Sequence, residues 1–386
     1  MKNEIIPYQE KEFDLESFNE ETRRLDALNY NIFLNDKTFN GYSIVDMIYK
    51  MQHYVHSKKF NKINKRLTNE SSINLVLEFY DKIGLKEKLE KILTGKHPTF
   101  TTIISKNSEE SYVGHTGHDK TITFSVGEMG TYNGISILVH ESAHALNGFY
   151  TKFANLLNKY NKMVKTFGEN SKEAKDVDTS ILNHINNSKH PLNDCITEID
   201  SHIAEMLFLE YAVDKNLISP EDKQVYNQMN INSLKNNIVQ TILDDHIYYN
   251  IRKIKEESNN KFNEITEGEY FKLKEKLLSQ KHGQDFIERL NFISKCKSSN
   301  IKQYNCKHKL RYVVATIFSY VWIDKYNQSN KQEKQKMLQN YKSFLLKIDK
   351  LDLDNSLSLL LPNETYESTI NKFAKIINPK TQELSQ

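Results

Sequence analysis

"SILVHESAHALNG" (residues 136–148) places His140 and His144 four positions apart, with Glu141 directly after the first, inside an otherwise apolar run. On an α-helix, positions i and i+4 lie one above the other on one face, so both imidazoles can offer a ring nitrogen to one ion about 2 Å away. Glu141 is offset toward the open side of such an ion, where it can accept a proton from water. Chance is a weak rival, since 13 His in 386 residues give about 0.03 expected occurrences of HExxH in a chain of this composition. Ile135, Ile137, Leu138, Val139, Ala143, Ala145 and Leu146 surround the motif. Burying two imidazoles and a carboxylate among them without partners would cost several kcal/mol, and a metal removes that cost. The spacing predicts a helix over 134–148, opened by Asn133 as N-cap and stopped by Gly148.

A catalytic metal of this kind needs a third protein ligand and a position left for water. The extension HExxHxxGxxH is absent, because Asn147 stands where its glycine would be and Tyr150 where its third histidine would be. The alternative is an acid on a later helix. In "TEIDSHIAEMLFLEY" (residues 197–211), Glu198, Ser201 and Glu205 fall at i, i+3 and i+7, one helical face. Glu198 is the candidate ligand, and Glu205, two turns on, could hold the N–H of a ligating histidine. Read without the upstream motif, the same acids would be a solvated helix face. His144 and Glu198 are 54 positions apart, and His184, His190 and Asp194 in the intervening segment are rivals for the third position.

The rest of the chain narrows the function classes. Lys+Arg 53 against Asp+Glu 50 leaves a net charge of +3 with lysines spread along the chain, so charge gives no support to nucleic-acid or membrane-surface binding. Three cysteines (Cys195, Cys296, Cys306) without CxxC spacing argue against a disulfide framework or a thiolate zinc knuckle. Cys195 reads as a small buried side chain, with no basic neighbour to make its thiol reactive. No run approaches the roughly 18 apolar residues of a spanning helix, and the first residues, MKNEIIPY, lack the pattern of a cleavable signal. The expectation is a cytoplasmic protein, or one secreted by a specialised system without a cleavable signal peptide.

With only 12 Gly and 6 Pro, helices dominate the reading. Residues 14–65 and a long polar stretch around 221–280 read as helical, as does an apolar one over 308–326. Residues 73–93 read as two helices hinged at Gly84, and residues 150–166 continue as helix. Residues 167–190 are polar and read as a loop. "PTFTTIIS" (residues 98–105) and "KTITFSVG" (residues 120–127) have short-period alternation and flank the turn-like "VGHTGHD" (residues 113–119), which predicts a small antiparallel sheet. His115, His118 and Asp119 in that turn could form a second metal site, a substrate-facing loop or a plain solvated turn.

"ILVHESAHAL" together with "TEIDSHIAEMLFLEY" resembles the thimet oligopeptidase and oligoendopeptidase F family of zinc metallopeptidases. The resemblance implies one zinc ion on His140, His144 and Glu198, with Glu141 as general base and Ser201 and Glu205 behind the ligands. It also implies a peptide-binding edge strand, here "KTITFSVGE" (residues 120–128). "HKLRYVVATIFSYVWIDKY" (residues 308–326) is similar to a family helix that holds the tetrahedral intermediate, which matches His308 and Tyr312. The implied fold is mainly α: a helical two-lobed zincin-type metallopeptidase with a small antiparallel sheet next to the active-site helix. Residues 1–94 would form an N-terminal helical lobe. Residues 95–386 would form the catalytic region, with the sheet at 97–128, the HExxH helix at 134–148, the glutamate helix at 192–214 and C-terminal helices, all one integrated unit. The expected function is hydrolysis of peptide bonds in short or extended peptides. Two other classes stay open: a dedicated protease acting on one folded protein target, and a non-catalytic helical interaction protein that keeps a metal for stability.

Overall fold

The structure, a computed structural model, describes residues 67–104, 111–116, 121–127, 129–187, 196, 198–231, 233–234, 237, 306–351 and 353–377. The helical reading of 14–65, most of the N-terminal lobe, most of the 221–280 stretch, His118, Asp119, His190, Asp194, Cys195 and Cys296 lie outside these residues. The described chain is mainly helical with one three-stranded sheet. Among the described residues, no helix is long and apolar enough to cross a membrane.

Helix α1 (Asn69–Lys82) is opened by Thr68, whose hydroxyl accepts from Ser71 N, and buries Val76, Leu77, Phe79 and Tyr80. Gly84, at φ +71°, turns the chain into α2 (Lys86–Leu93). Strands β1 (Phe100–Ile104), β2 (Tyr112–Thr116) and β3 (Thr121–Val126) follow, in the spatial order β1-β3-β2. β1 runs parallel to β3, with Phe100 opposite Ile122, and β2 runs antiparallel to it, with Tyr112 opposite Ser125.

Three expectations are corrected here. The sheet is mixed, not antiparallel, because the first part of the stretch read as a turn (residues 113–119), Val113 to Thr116, is itself strand and takes one side of β3. β1 is thereby left to pair on the other side, in parallel. Strand β3 is therefore central: Ile122, Phe124 and Val126 are buried, and its backbone groups serve two neighbours. It cannot be the peptide-binding edge; among the described residues the outer edges belong to β1 and β2.

Helix α3 (Tyr132–Leu146) carries HExxH and buries Ile135, Leu138, Val139, Ala143, Ala145 and Leu146. Its cap is Thr131, not Asn133: the Thr131 side chain accepts from Gly134 N, and the helix starts early enough to bury Tyr132. Gly148 does not stop it. Asn147 ends α3 in an extended conformation and caps α4 (Gly148–Phe167), its Oδ1 accepting from Tyr150 N. Gly148 is required for another reason: a Cβ there would lie 2.6 Å from Leu346 O and 2.7 Å from Asp349 Oδ1. Gly148→Ala is expected to cost about 1–3 kcal/mol of stability through that overlap, read as a lower urea midpoint.

Within 167–190, read as a loop, residues 172–187 are helical. After Gly168, at φ +89°, the chain returns in α5 (Lys172–Asn187). Ala174, Val177, Ile181 and His184 repeat every three or four residues and are buried, forming a thin stripe along the helix in which α4 is its packing partner.

Helix α6 (Ile199–Asp214) is buried on nearly every side, from Ile203 and Ala204 to Phe208, Leu209, Tyr211 and Ala212, as befits a central element. It lies between α3 and α7 (Cys306–Gln328), whose residues Val313 to Ala315 and Ile317 to Ile323 are buried. Helix α8 (Lys331–Lys347) opens with a capping box formed by Asn330 and Glu333. A short 3-10 turn (Ile348–Lys350), α9 (Leu353–Leu360) and α10 (Tyr366–Ile377) complete the described chain. Two tyrosines tie the layers by hydroxyl donation: Tyr80 to Val139 O at 2.8 Å and Tyr341 to Asp200 O at 2.7 Å.

Candidate metal centre

The packing of α3 on the start of α6 brings together His140, His144 and Glu198 across 54 residues of chain. His140 Nε2 and His144 Nε2 are 3.1 Å apart. Glu198 Oε2 is 3.4 Å from the first and 3.5 Å from the second. Glu198 is not inside α6 but at its N-cap, in αR geometry, which still keeps it on the face of Ser201 and Glu205. The Ser201 hydroxyl is buried and donates to Glu198 O at 3.0 Å.

Each imidazole is held from behind through its other nitrogen. His140 Nδ1 pairs with Glu205 Oε1, and His144 Nδ1 faces Asp200 Oδ1 at 3.4 Å. Asp200 is fully buried and is itself fixed by Ser201 N at 2.7 Å and Asn147 Nδ2 at 3.2 Å. With Nδ1 of each ring turned to a carboxylate, two Nε2 atoms and a carboxylate oxygen converge on one point. Lone pairs brought this close repel unless a cation or protons lie between them.

The electrostatics describe the proton alternative. Burial pushes His144 down, but Asp200 and Glu198 outweigh it and raise it to about 10. Burial likewise opposes the Glu205 and Glu198 carboxylates at His140, and they still hold it well above the ordinary histidine value. Burial works against the charge of Glu198, yet His144 and His140 keep it well below the usual carboxylate range. Glu205 is lowered in the same way by His140. A divalent ion supplies the positive charge that the two protons supply without it. Tetrahedral ligands at about 2.0–2.1 Å from an ion lie about 3.3 Å from one another, close to the observed triangle, so these residues could hold a metal. His140, Glu198 and His202 form an overlapping group whose candidate atoms lie within 4.8 Å of one another and could also hold a metal.

Glu141 is buried beside the triangle, and burial raises its pKa against the opposing pull of His140 and His144. It lines a cleft of about 720 Å³ together with His140, Glu205, Ser111 and Tyr312. The Tyr312 hydroxyl accepts from Arg311 Nη2 at 3.0 Å, and Arg311 Nε lies 3.3 Å from Glu198 Oε1. His308 stands in α7, one turn before Tyr312, and its side chain lies outside the described residues.

Of the rivals for the third position, His184 is placed elsewhere: it stacks on Phe149 and donates from Nε2 to Phe149 O at 3.0 Å. Asp200, Arg311 and His202 were not singled out from the sequence. Asp200 had one signal, an acid two residues after Glu198 at a helix start, where a side chain can still turn back across the interface. For Arg311 the sequence carried none.

These elements define a mainly helical fold with a small mixed sheet, in which α3 and the start of α6 bring His140, His144 and Glu198 together. Among solved structures, this chain is similar to that of a candidate oligoendopeptidase F from Bacillus anthracis str. Ames, with a TM-score of 0.52 and 12% sequence identity over 97% of this chain and 57% of that one. At that identity the likeness is one of fold, and the present chain spans little more than half of that protein's length. No family model matches the chain, and no curated protein matches its sequence.

Proposed function

We propose that the chain is a zinc-dependent endopeptidase that hydrolyses peptide bonds in short or extended peptides. The observation that carries this reading is the triangle of His140 Nε2, His144 Nε2 and Glu198 Oε2, with sides of 3.1, 3.4 and 3.5 Å, beside a buried Glu141 in a cleft wall. The shared fold supports it. His140, His144 and Glu198 would hold the ion, and Glu205 and Asp200 orient the two rings. Zinc, when bound, supplies a Lewis acid that polarises a peptide carbonyl and acidifies water. Glu141, its pKa raised by burial, takes the proton of the attacking water and passes it to the leaving amine. Tyr312, on the cleft wall, is the donor for the developing oxyanion, with His308 one turn away as its partner in that role.

An extended peptide would lie along β2 instead of β3. Ser111, just before β2, lines the cleft, and Tyr150 reaches from α4 to donate to Val113 O at 2.8 Å. Strand addition at this edge would present the backbone to the cleft.

The purified protein is expected to carry one zinc ion per chain and to cleave quenched fluorescent peptides. A chelator should remove both metal and activity, and zinc should restore both. A fully zinc-loaded protein that cleaves nothing in a mixed peptide library, or a protein that binds no zinc, would sink the reading.

A further inference from the structure

Helix α6 turns a histidine toward the cleft beside Glu205 and Met206, and no role above uses it. His202 lies one turn after Glu198 and one before Glu205, in the cleft wall that Glu141 also lines. Its ring centroid is 5.9 Å from that of His140 and 6.0 Å from that of Tyr312. It offers a ring nitrogen within 4.8 Å of the candidate ligand atoms of His140 and Glu198.

The hydrogen bonds assign its tautomer. His202 Nδ1 is 3.3 Å from Thr316 Oγ1, and Thr316 Oγ1 donates to Tyr312 O at 2.7 Å. A threonine hydroxyl has one hydrogen, and here the backbone carbonyl receives it. Toward His202 the oxygen can therefore only accept, so Nδ1 carries a hydrogen, and in the neutral ring Nε2 carries the lone pair. Among the described residues, none hydrogen-bonds Nε2.

A water molecule attacking a carbonyl has two hydrogens, and Glu141 accepts one of them. We propose that His202 Nε2 accepts the other, so that the two acceptors on opposite helices fix the water's orientation before attack. This rests on the peptidase reading above. In the step, the water O–H bond directed at Glu141 breaks and its proton passes to the carboxylate; the electron pair left on oxygen forms the bond to the carbonyl carbon, the C=O π pair moves onto the carbonyl oxygen as the oxyanion, and the second hydrogen stays on the attacking oxygen. His202 holds it by a hydrogen bond and takes no proton. The ring acts by orientation, which is why one defined tautomer matters more than its basicity.

The first test needs no activity. In the full-length, metal-free protein labelled with ¹⁵N-histidine, long-range ¹H–¹⁵N correlations should show His202 as the Nδ1–H tautomer, and Thr316→Val should abolish that preference; an Nε2–H ring in the parent overturns the proposal. The second uses the zinc-loaded protein. His202→Leu is expected to lower kcat roughly 10–100-fold with KM little changed, with zinc affinity in chelator competition within about twofold of the parent, well short of the 10–100-fold loss expected for a metal partner. His202→Gln, which keeps an acceptor at the end of its side chain, should recover part of kcat. Weakened zinc binding in His202→Leu would make the residue a fourth ligand and overturn the proposal. An active parent with an unimpaired His202→Leu variant sinks this inference alone, whereas a zinc-loaded but inactive parent sinks the peptidase reading with it.

Discussion

Glu141→Gln is expected to lower peptide hydrolysis about 10²–10⁴-fold, the range that a positioned proton acceptor contributes, while zinc content stays at the parent level. Glutamine has nearly the shape of glutamate, so it can occupy the same buried position beside His140 without opening a cavity. What it lacks is the ability to take a proton. The three converging atoms belong to His140, His144 and Glu198 and are untouched. Steady-state rates on a fluorescent peptide, normalised to bound zinc, separate the two effects. A rate near that of the parent would show that another group accepts the proton.

Glu198→Ala should act on the other quantity. It removes the carboxylate oxygen that faces both Nε2 atoms, at 3.4 and 3.5 Å, and leaves a two-histidine site. Zinc affinity is expected to fall by more than the roughly 10–100-fold that loss of an outer-shell partner costs, and hydrolysis should fall with it. The same change removes the Glu198 partner of Arg311, so Glu198→Gln is a useful companion, keeping the shape and one carbonyl oxygen. Chelator competition gives the affinity. Full zinc occupancy and activity in Glu198→Ala would place the third ligand elsewhere, with His190 and Asp194 the next to test.

The sequence exposed those parts of the fold whose signals are local. HExxH on one helical turn and the i, i+3, i+7 series from Glu198 are short-range patterns: α3 carries the first, while α6 begins at Ile199 and holds Ser201 and Glu205 with Glu198 at its N-cap, later than the start expected at residue 192. Boundaries were less legible: Thr131 and Asn133 are both capping residue types, and burial of Tyr132 decides between them. The sheet's direction could not be read from alternation. β1 becomes parallel only because β2 occupies the other side of β3, a choice made by three strands together. Helix α5 was hidden by composition, since its buried stripe is four residues wide in sixteen and one of the four is a histidine. Asp200 escaped because helical spacing compares residues along one element, whereas its partners His144 and Asn147 come from α3 and the junction after it.

The bond from His184 on α5 to Phe149 near the start of α4 brings the far end of this hairpin back to where it began. Most of the 54-position step from His144 to Glu198 is thus an excursion that departs from and returns to one place. Entropy grows slowly with such detours, by about 0.6 kcal/mol for each doubling of loop length, so lengthening or trimming at the Gly168 bend would leave the distance from His144 to Glu198 almost indifferent. Counting residues between ligands, a habit of pattern searches, measures the detour and not the crossing.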